Sequence, residues 1–147
     1  MDGLCWGAED LSAALGAVGG RDTSGRFLPV FETVRSWCLL AAAAAGVQAI
    51  DAVYTDLADP EGLRREAEQA AAMGFAGKIT IHPDQIDVVN AAFTPTPREI
   101  EEASELLNEL DRNLAEGRQA FTFRGRMVDV PHVRQPRRLL ARAGTER

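Results

Sequence analysis

Gly77-Lys78-Ile79-Thr80-Ile81-His82-Pro83 decides how this chain is read. Alternation puts Lys78, Thr80 and His82 on one face of a short buried strand and Ile79 and Ile81 on the other. Pro83 then stands at a favoured first helical position, ahead of Asp84-Gln85-Ile86. Polar side chains at the carboxyl end of such a strand are where parallel α/β proteins keep their active sites. An ordinary strand with a hydrogen-bonded histidine is the competing reading of the same residues.

Working outward, the upstream chain repeats the strand-to-helix pattern. Gly3 to Trp6 reads as a strand leading into a short helix from Glu9 or Asp10, and the glycine-rich stretch Gly16 to Gly25 as a loop. A helix is expected from Phe31 to Ala45, stopped by Gly46, and then a strand from Gln48 to Tyr54. Asp59-Pro60-Glu61 is a helix start with Asp59 as its cap, and Gly74 ends that helix just before the Lys78 strand. The order β-α-β-α-β implies parallel pairing through right-handed crossovers. Three strands leave open whether the sheet is flat or closed into a barrel.

Downstream, Thr96-Pro97-Arg98-Glu99 is a capping box opening a helix to Glu116. Its apolar stripe is Ile100, Ala103, Leu106, Leu107, Leu110 and Leu114. Phe121-Thr122-Phe123, a turn at Arg124-Gly125 and Met127-Val128 predict a hairpin, and Pro131 to Ala143 a closing helix. The division expected is therefore residues 1–95 and residues 96–147.

At 147 residues the chain is long enough for one domain burying about two-thirds of its unfolded surface. Its net charge of −6 argues against a general nucleic-acid binder, although eight arginines follow from Arg118 onward against only Asp129 and Glu146. The alanine-rich apolar stretch from Leu39 to Ala45, with Trp37 and Cys38 before it, is far short of the ~20 residues that span a bilayer. Residues 1–20 show no basic leader or cleavage site, so a cytoplasmic protein without membrane partners is expected. Cys5 and Cys38 stand at no metal-ligand spacing and read as two buried, reduced thiols.

Gly77 to Pro83, with Gln85 beyond, resembles the G-K-x-x-I-H-P-x-Q signature of the citrate lyase beta subunit / HpcH-HpaI aldolase family. Leu4-Cys5-Trp6-Gly7-Ala8-Glu9-Asp10-Leu11 is similar to its G-x-E-D metal turn, and Ala49-Ile50-Asp51-Ala52-Val53-Tyr54 to its A-I-D-x-x-Y/F strand. Ala92-Phe93-Thr94-Pro95-Thr96 resembles its A-F-x-P-S/T junction. Gly125-Arg126-Met127-Val128-Asp129-Val130-Pro131-His132 resembles its lid segment. The resemblance implies an α/β fold comprising about the last three strands of a (β/α)8 TIM barrel, with a helical and hairpin C-terminal lid. It also implies that the first five strands are missing from this chain.

Family members make or break a carbon–carbon bond between an acyl-CoA enolate and a keto acid. The implied function is a Mg²⁺-dependent lyase or thioesterase acting on a 3-hydroxyacyl-CoA such as citryl-, malyl- or citramalyl-CoA. By the resemblance, Asp10 is a Mg²⁺ ligand, and Gly7, Ala8 and Glu9 hold the keto-acid carboxylate. Read from residues alone, Asp10 is better taken as a helix cap, and only the resemblance makes it a metal ligand. Asp129 is implied as the acid/base acting in a neighbouring subunit of a homo-oligomer, against a role capping the following helix. Asp51 is expected to point inward and position substrate or make a buried hydrogen bond, and His82 to line the CoA wall or serve structure. A Schiff base at Lys78 is a minor alternative. The family's second metal ligand, a glutamate, and an arginine lie upstream of the matched region. Two further readings stay open: a non-catalytic remnant or partner subunit binding CoA or another chain, and a CoA-independent aldolase.

Overall fold

The computed structural model describes residues 2–129 and 133–144. It forms two compact units, Met1–Phe93 and Thr94–Arg147. In the first, strands β1 (Gly3–Cys5), β2 (Gln48–Asp51) and β3 (Gly77–Lys78) make a parallel sheet in the order β1-β2-β3. Leu4 stands beside Ala49, and Asp51 beside Lys78. Helices α1 (Ala8–Leu15), α2 (Pro29–Ala45), α3 (Pro60–Met73) and α4 (Gln85–Phe93) complete the unit.

One face of the sheet makes the core. Ala49 packs with Ala42 of α2, Ala70 of α3 and Phe75, while Trp6 packs with Phe27, Phe31 and Cys38. Small residues at the helix–sheet contact let the helices sit close, and the large side chains fill in around them. The opposite face is bare: Cys5 and Gln48 are exposed and Ile50 only half-buried. Parallel sheets are ordinarily covered on both faces, so this asymmetry is the main peculiarity of the unit.

Helix boundaries follow local chemistry. Pro29 opens α2 two residues earlier than expected, and Gly46 closes it at φ 67°. Asp59 caps α3 by accepting from the Gly62 amide at 2.8 Å. Helix α1 begins at Ala8, just ahead of the residues expected to start it.

Several expectations need correction. Strand β2 ends at Asp51 rather than Tyr54, and β3 at Lys78 rather than His82. After Lys78, the Ile79 amide still donates to Asp51 O, but the Ile81 amide turns to the Gln85 side chain. The chain thus leaves the sheet, and Ile79 and Ile81 are exposed, not buried. Pro83 lies in a turn, and α4 starts only at Gln85. Cys5 is exposed because it projects from the bare face, whereas Cys38 is buried; both are free thiols.

In the second unit, α5 (Pro97–Ala115) starts with the expected capping box between Thr96 and Glu99. Leu114 of its apolar stripe is exposed; Asn113 is buried instead, donating to Glu109 O. Strands β4 (Ala120–Phe123) and β5 (Arg126–Asp129) pair antiparallel, with Phe121 opposite Val128. Their turn residues Arg124 and Gly125 have φ 47° and 78°, the double positive φ that two-residue hairpins require. Helix α6 (Arg134–Arg142) begins later than the expected Pro131, which with Val130 and His132 falls outside the described residues.

Candidate functional site

The chain leaves β1 at Cys5, passes through buried Trp6, and turns at Gly7 into α1. Gly7 is the cap position of α1, and no side chain caps the helix. Asp10 is therefore not used as a cap; its carboxylate folds back over Gly7. A Cβ on Gly7 would meet Asp10 Oδ2 at 2.5 Å, so the absent side chain is what makes room for the carboxylate. Glu9 and Asp10 are exposed and Ala8 is buried. The first amides of α1 thus remain available, at the positive end of the helix, for an anionic ligand.

This turn fits a hard cation in one respect. Asp10 supplies an exposed oxygen donor, and Mg²⁺ is commonly held by one or two carboxylates with substrate and water oxygens. Among the described residues no group of three or more His, Cys, Asp or Glu side chains gathers to hold a metal. The described chain supplies no ligand cage of its own.

Asp51 makes the buried hydrogen bonds that were one of its two expected roles, on the helix side of the sheet instead of the inner face. Its side chain turns toward the helices and is fully buried. Oδ1 accepts from Trp6 Nε1 at 2.9 Å and Arg35 Nε at 3.1 Å; Oδ2 accepts from Arg35 at 2.9 Å and Lys78 Nζ at 3.2 Å. Burial pushes this carboxyl up, but Lys78 and Arg35, with the hydrogen bonds from Arg35 and Trp6, outweigh it and hold it below the usual value. All its acceptor capacity is spent inside the protein, which leaves nothing for a substrate.

Lys78 shares that cluster. Its ammonium donates to Glu66 at 2.7 Å and to Ala52 O at 2.6 Å. Arg21 in turn grips Glu66 through two bonds, at 2.5 and 3.1 Å. A lysine held this way cannot attack a carbonyl without abandoning three partners, so the Schiff-base alternative loses its nucleophile. Sequence reasoning missed Arg21, Arg35 and Glu66. The signal was present for two of them: Arg35 stands on the stripe of Phe31, Cys38 and Ala42, and Glu66 on that of Leu63, Ala67 and Ala70.

Beyond β2 and β3 a cleft of about 100 Å³ opens at the carboxyl end of the sheet, lined by Asp56, Asp59, Leu63, His82, Asp84 and Gln85 among others. His82 is exposed, and its Nδ1 accepts from the Asp84 amide at 3.3 Å. Gln85 braces the cleft, donating to Tyr54 O at 2.8 Å and accepting from the Ile81 amide at 2.9 Å. The Tyr54 hydroxyl donates to Asp59 at 2.9 Å, and burial together with that bond pushes its pKa up to about 12. Tyr54 is thus a brace for the α3 cap and stays protonated at neutral pH.

Asp129 ends β5, opposite Ala120, and is half-buried. The described helix α6 has Val133 at its cap position, and the helix start at Pro131 that Asp129 was expected to cap lies outside the described residues. Gly7 to Asp10, Asp51 and His82 belong to the first unit and Asp129 to the second.

Comparison with known proteins gives consistent matches. Residues 1–83 match the family described as HpcH/HpaI aldolase/citrate lyase. A mitochondrial citramalyl-CoA lyase of Mus musculus is 42% identical over 143 residues, which are 97% of this chain and 41% of that protein. A (3S)-malyl-CoA thioesterase of Cereibacter sphaeroides is 36% identical over 146 residues, 97% of this chain and 48% of that one. The crystal structure of CitE from Mycobacterium tuberculosis, in complex with magnesium, acetoacetate and coenzyme A, superposes with a TM-score of 0.83 at 44% identity, covering 95% of this chain and 51% of that one. The chain spans about half the length of the relatives it matches. The α/β fold is that of the citrate lyase beta subunit structures.

Proposed function

The chain belongs to the HpcH/HpaI aldolase/citrate lyase family, and from that premise we propose that it contributes the metal turn and lid of a Mg²⁺-dependent carbon–carbon lyase or thioesterase acting on a 3-hydroxyacyl-CoA. The observation that carries the proposal is the exposed Asp10 carboxylate laid over bare Gly7 at the uncapped start of α1. Asp10 would hold Mg²⁺ through one carboxylate oxygen. Bound there, the ion would polarise the keto group of the substrate as a Lewis acid. The amides of the turn around Gly7, Ala8 and Glu9 would hold the keto-acid carboxylate against the helix end. His82, on the rim of the cleft at the same end of the sheet, would line the CoA wall. Asp129 would move a proton at the carbon next to the thioester, from a neighbouring subunit of a homo-oligomer.

The same reading makes the three strands part of a (β/α)8 barrel, residues 1–95 its catalytic part, and residues 96–147 a lid extension. The bare sheet face supports this, because a barrel interior is where such a face would be filled. Cytoplasmic residence belongs to the reading too, supported by the two free thiols; among the described residues no helix is long and apolar enough to cross a membrane. A second reading, a partner subunit whose site another chain completes, is favoured by the absence of a metal-ligand cluster among the described residues.

The test is Mg²⁺-dependent cleavage of malyl-CoA and citramalyl-CoA, with thioester loss and keto-acid release followed together. Turnover that disappears in Asp10→Ala is expected. Keto acid without thioester loss marks a lyase, and thioester loss marks hydrolysis. A folded chain that turns over neither ester, alone or with an added family member, would sink the enzymatic reading.

A further inference from the structure

We infer that Asp51, acting through Trp6, is a positioning residue for the Gly7–Asp10 turn, an inference that rests on the functional reading of that turn. Trp6 is the residue immediately before Gly7, and its indole N–H donates to Asp51 Oδ1 at 2.9 Å, 45 residues away in sequence. Both partners are buried. Asp51 cannot swing, because Arg35 and Lys78 hold its two oxygens. Lys78 is fixed in turn by Glu66, and Glu66 by Arg21. The guanidinium of Arg21 lies 3.8 Å over the Phe27 ring, and Phe27 meets Trp6 edge-on at 5.1 Å. The sequence of contacts therefore closes on itself: Trp6, Asp51, Lys78, Glu66, Arg21, Phe27 and back to Trp6.

The closed circuit ties three separate stretches of sequence to one point. Trp6 directly follows β1, Asp51 ends β2, and Lys78 ends β3. A buried cluster of ions gives little net stability over apolar packing of the same volume. What it gives is direction: the indole is held through its N–H on one side and its ring on another. The chain leaving Trp6 enters α1 with its course set, and Asp10 stands four residues on. Groups hydrogen-bonded to a metal ligand typically change metal affinity 10–100-fold when removed, and Trp6, acting on Asp10 through the backbone of the turn, is expected at the lower end.

Trp6→Phe removes the N–H and keeps a ring. The measurements are amide hydrogen exchange along the chain and Mn²⁺ affinity by electron paramagnetic resonance, Mn²⁺ serving as the probe. Expected are exchange about tenfold faster at residues 7–11, unchanged exchange in α2 and α3, and Mn²⁺ binding weakened about tenfold. Unchanged exchange at residues 7–11 would overturn the inference, and so would acceleration shared evenly with α2 and α3, the signature of packing alone. If Trp6→Phe does not fold, Glu66→Gln loosens the circuit two contacts behind Asp51; the expected acceleration is again at residues 7–11, compared with α2, since Glu66 itself lies in α3. Mn²⁺ binding that is identical in wild type and Asp10→Ala removes Asp10 as a ligand and with it the functional reading. The exchange pattern still decides whether Asp51 and Trp6 position the turn.

Discussion

At the scale of single residues, the decisive group is the Asp51 carboxylate, ionised and buried between two cations. Its folded pKa lies below the unfolded value of about 3.9, so it binds a proton less readily in the folded state. The stability it contributes is therefore fully present above about pH 4 and is lost as pH falls from there through the folded value. Urea midpoints of the wild type should drop across that window, while Asp51→Asn should show a flatter profile there. At pH 7 the variant should be less stable by about 3 kcal/mol, since Arg35 and Lys78 stay charged and buried but lose the carboxylate they share, keeping only Glu32 and Glu66. Parallel acid profiles in the two proteins would remove Asp51 as the linked group. Its location was not legible beforehand. An Asp on a strand face alternating with alanine and valine fits either side of a sheet, and only the pairing of β2 with β3 aligns it with Lys78. Asp10 stood out only through the family resemblance; its residues alone favoured a helix cap, a role it does not take at Gly7.

Elements were read best where their signals are local. The capping box of α5 forms as expected: Thr96 accepts from the Glu99 amide at 3.3 Å, and the Thr96 amide donates to Glu99 at 2.8 Å. The Thr96 amide and hydroxyl bonds hold the Glu99 carboxyl below its usual value. Thr96→Ala should destabilise the second unit by about 1 kcal/mol, read from exchange rates of α5 amides, and leave exchange in β1, β2 and β3 unchanged. An unaltered α5 would mean the helix is held by packing and not by its cap. The Arg124-Gly125 hairpin and the stop at Gly46 were legible for the same reason, each being a backbone conformation that few residues adopt. Strand ends were not. The run through His82 has a strand's alternation, but Gln85 intercepts the Ile81 amide, and a side-chain bond from four residues ahead leaves no trace in periodicity. Likewise Arg35 and Glu66 stand on apolar helix stripes, where their charges looked like interruptions instead of the second half of a buried cluster.

On the scale of the whole molecule, what matters is a parallel sheet covered on one side. Strand β1 and strand β3 each have one neighbour, so the described sheet has two unpaired edges. Beside β3, Ile79 and Ile81 are 37% and 53% exposed, and Cys5 projects from β1. Unpaired edges beside apolar side chains are templates for association, whereas a net charge of −6 opposes indiscriminate aggregation by mutual repulsion. The balance favours limited, specific assembly of copies over precipitation. Sedimentation of the 147-residue chain under reducing conditions, which excludes a Cys5 disulfide, should give a mass above 15.9 kDa that rises with concentration. Ile79→Lys places a charge beside the edge and should shift the distribution toward the monomer without lowering the thermal midpoint, because the side chain contributes little to the core. A wild-type chain that stays monomeric across the concentration range would show that the bare face is tolerated in water. In that event the open face would need no barrel interior to fill it, and the Gly7–Asp10 turn alone would point to the proposed chemistry.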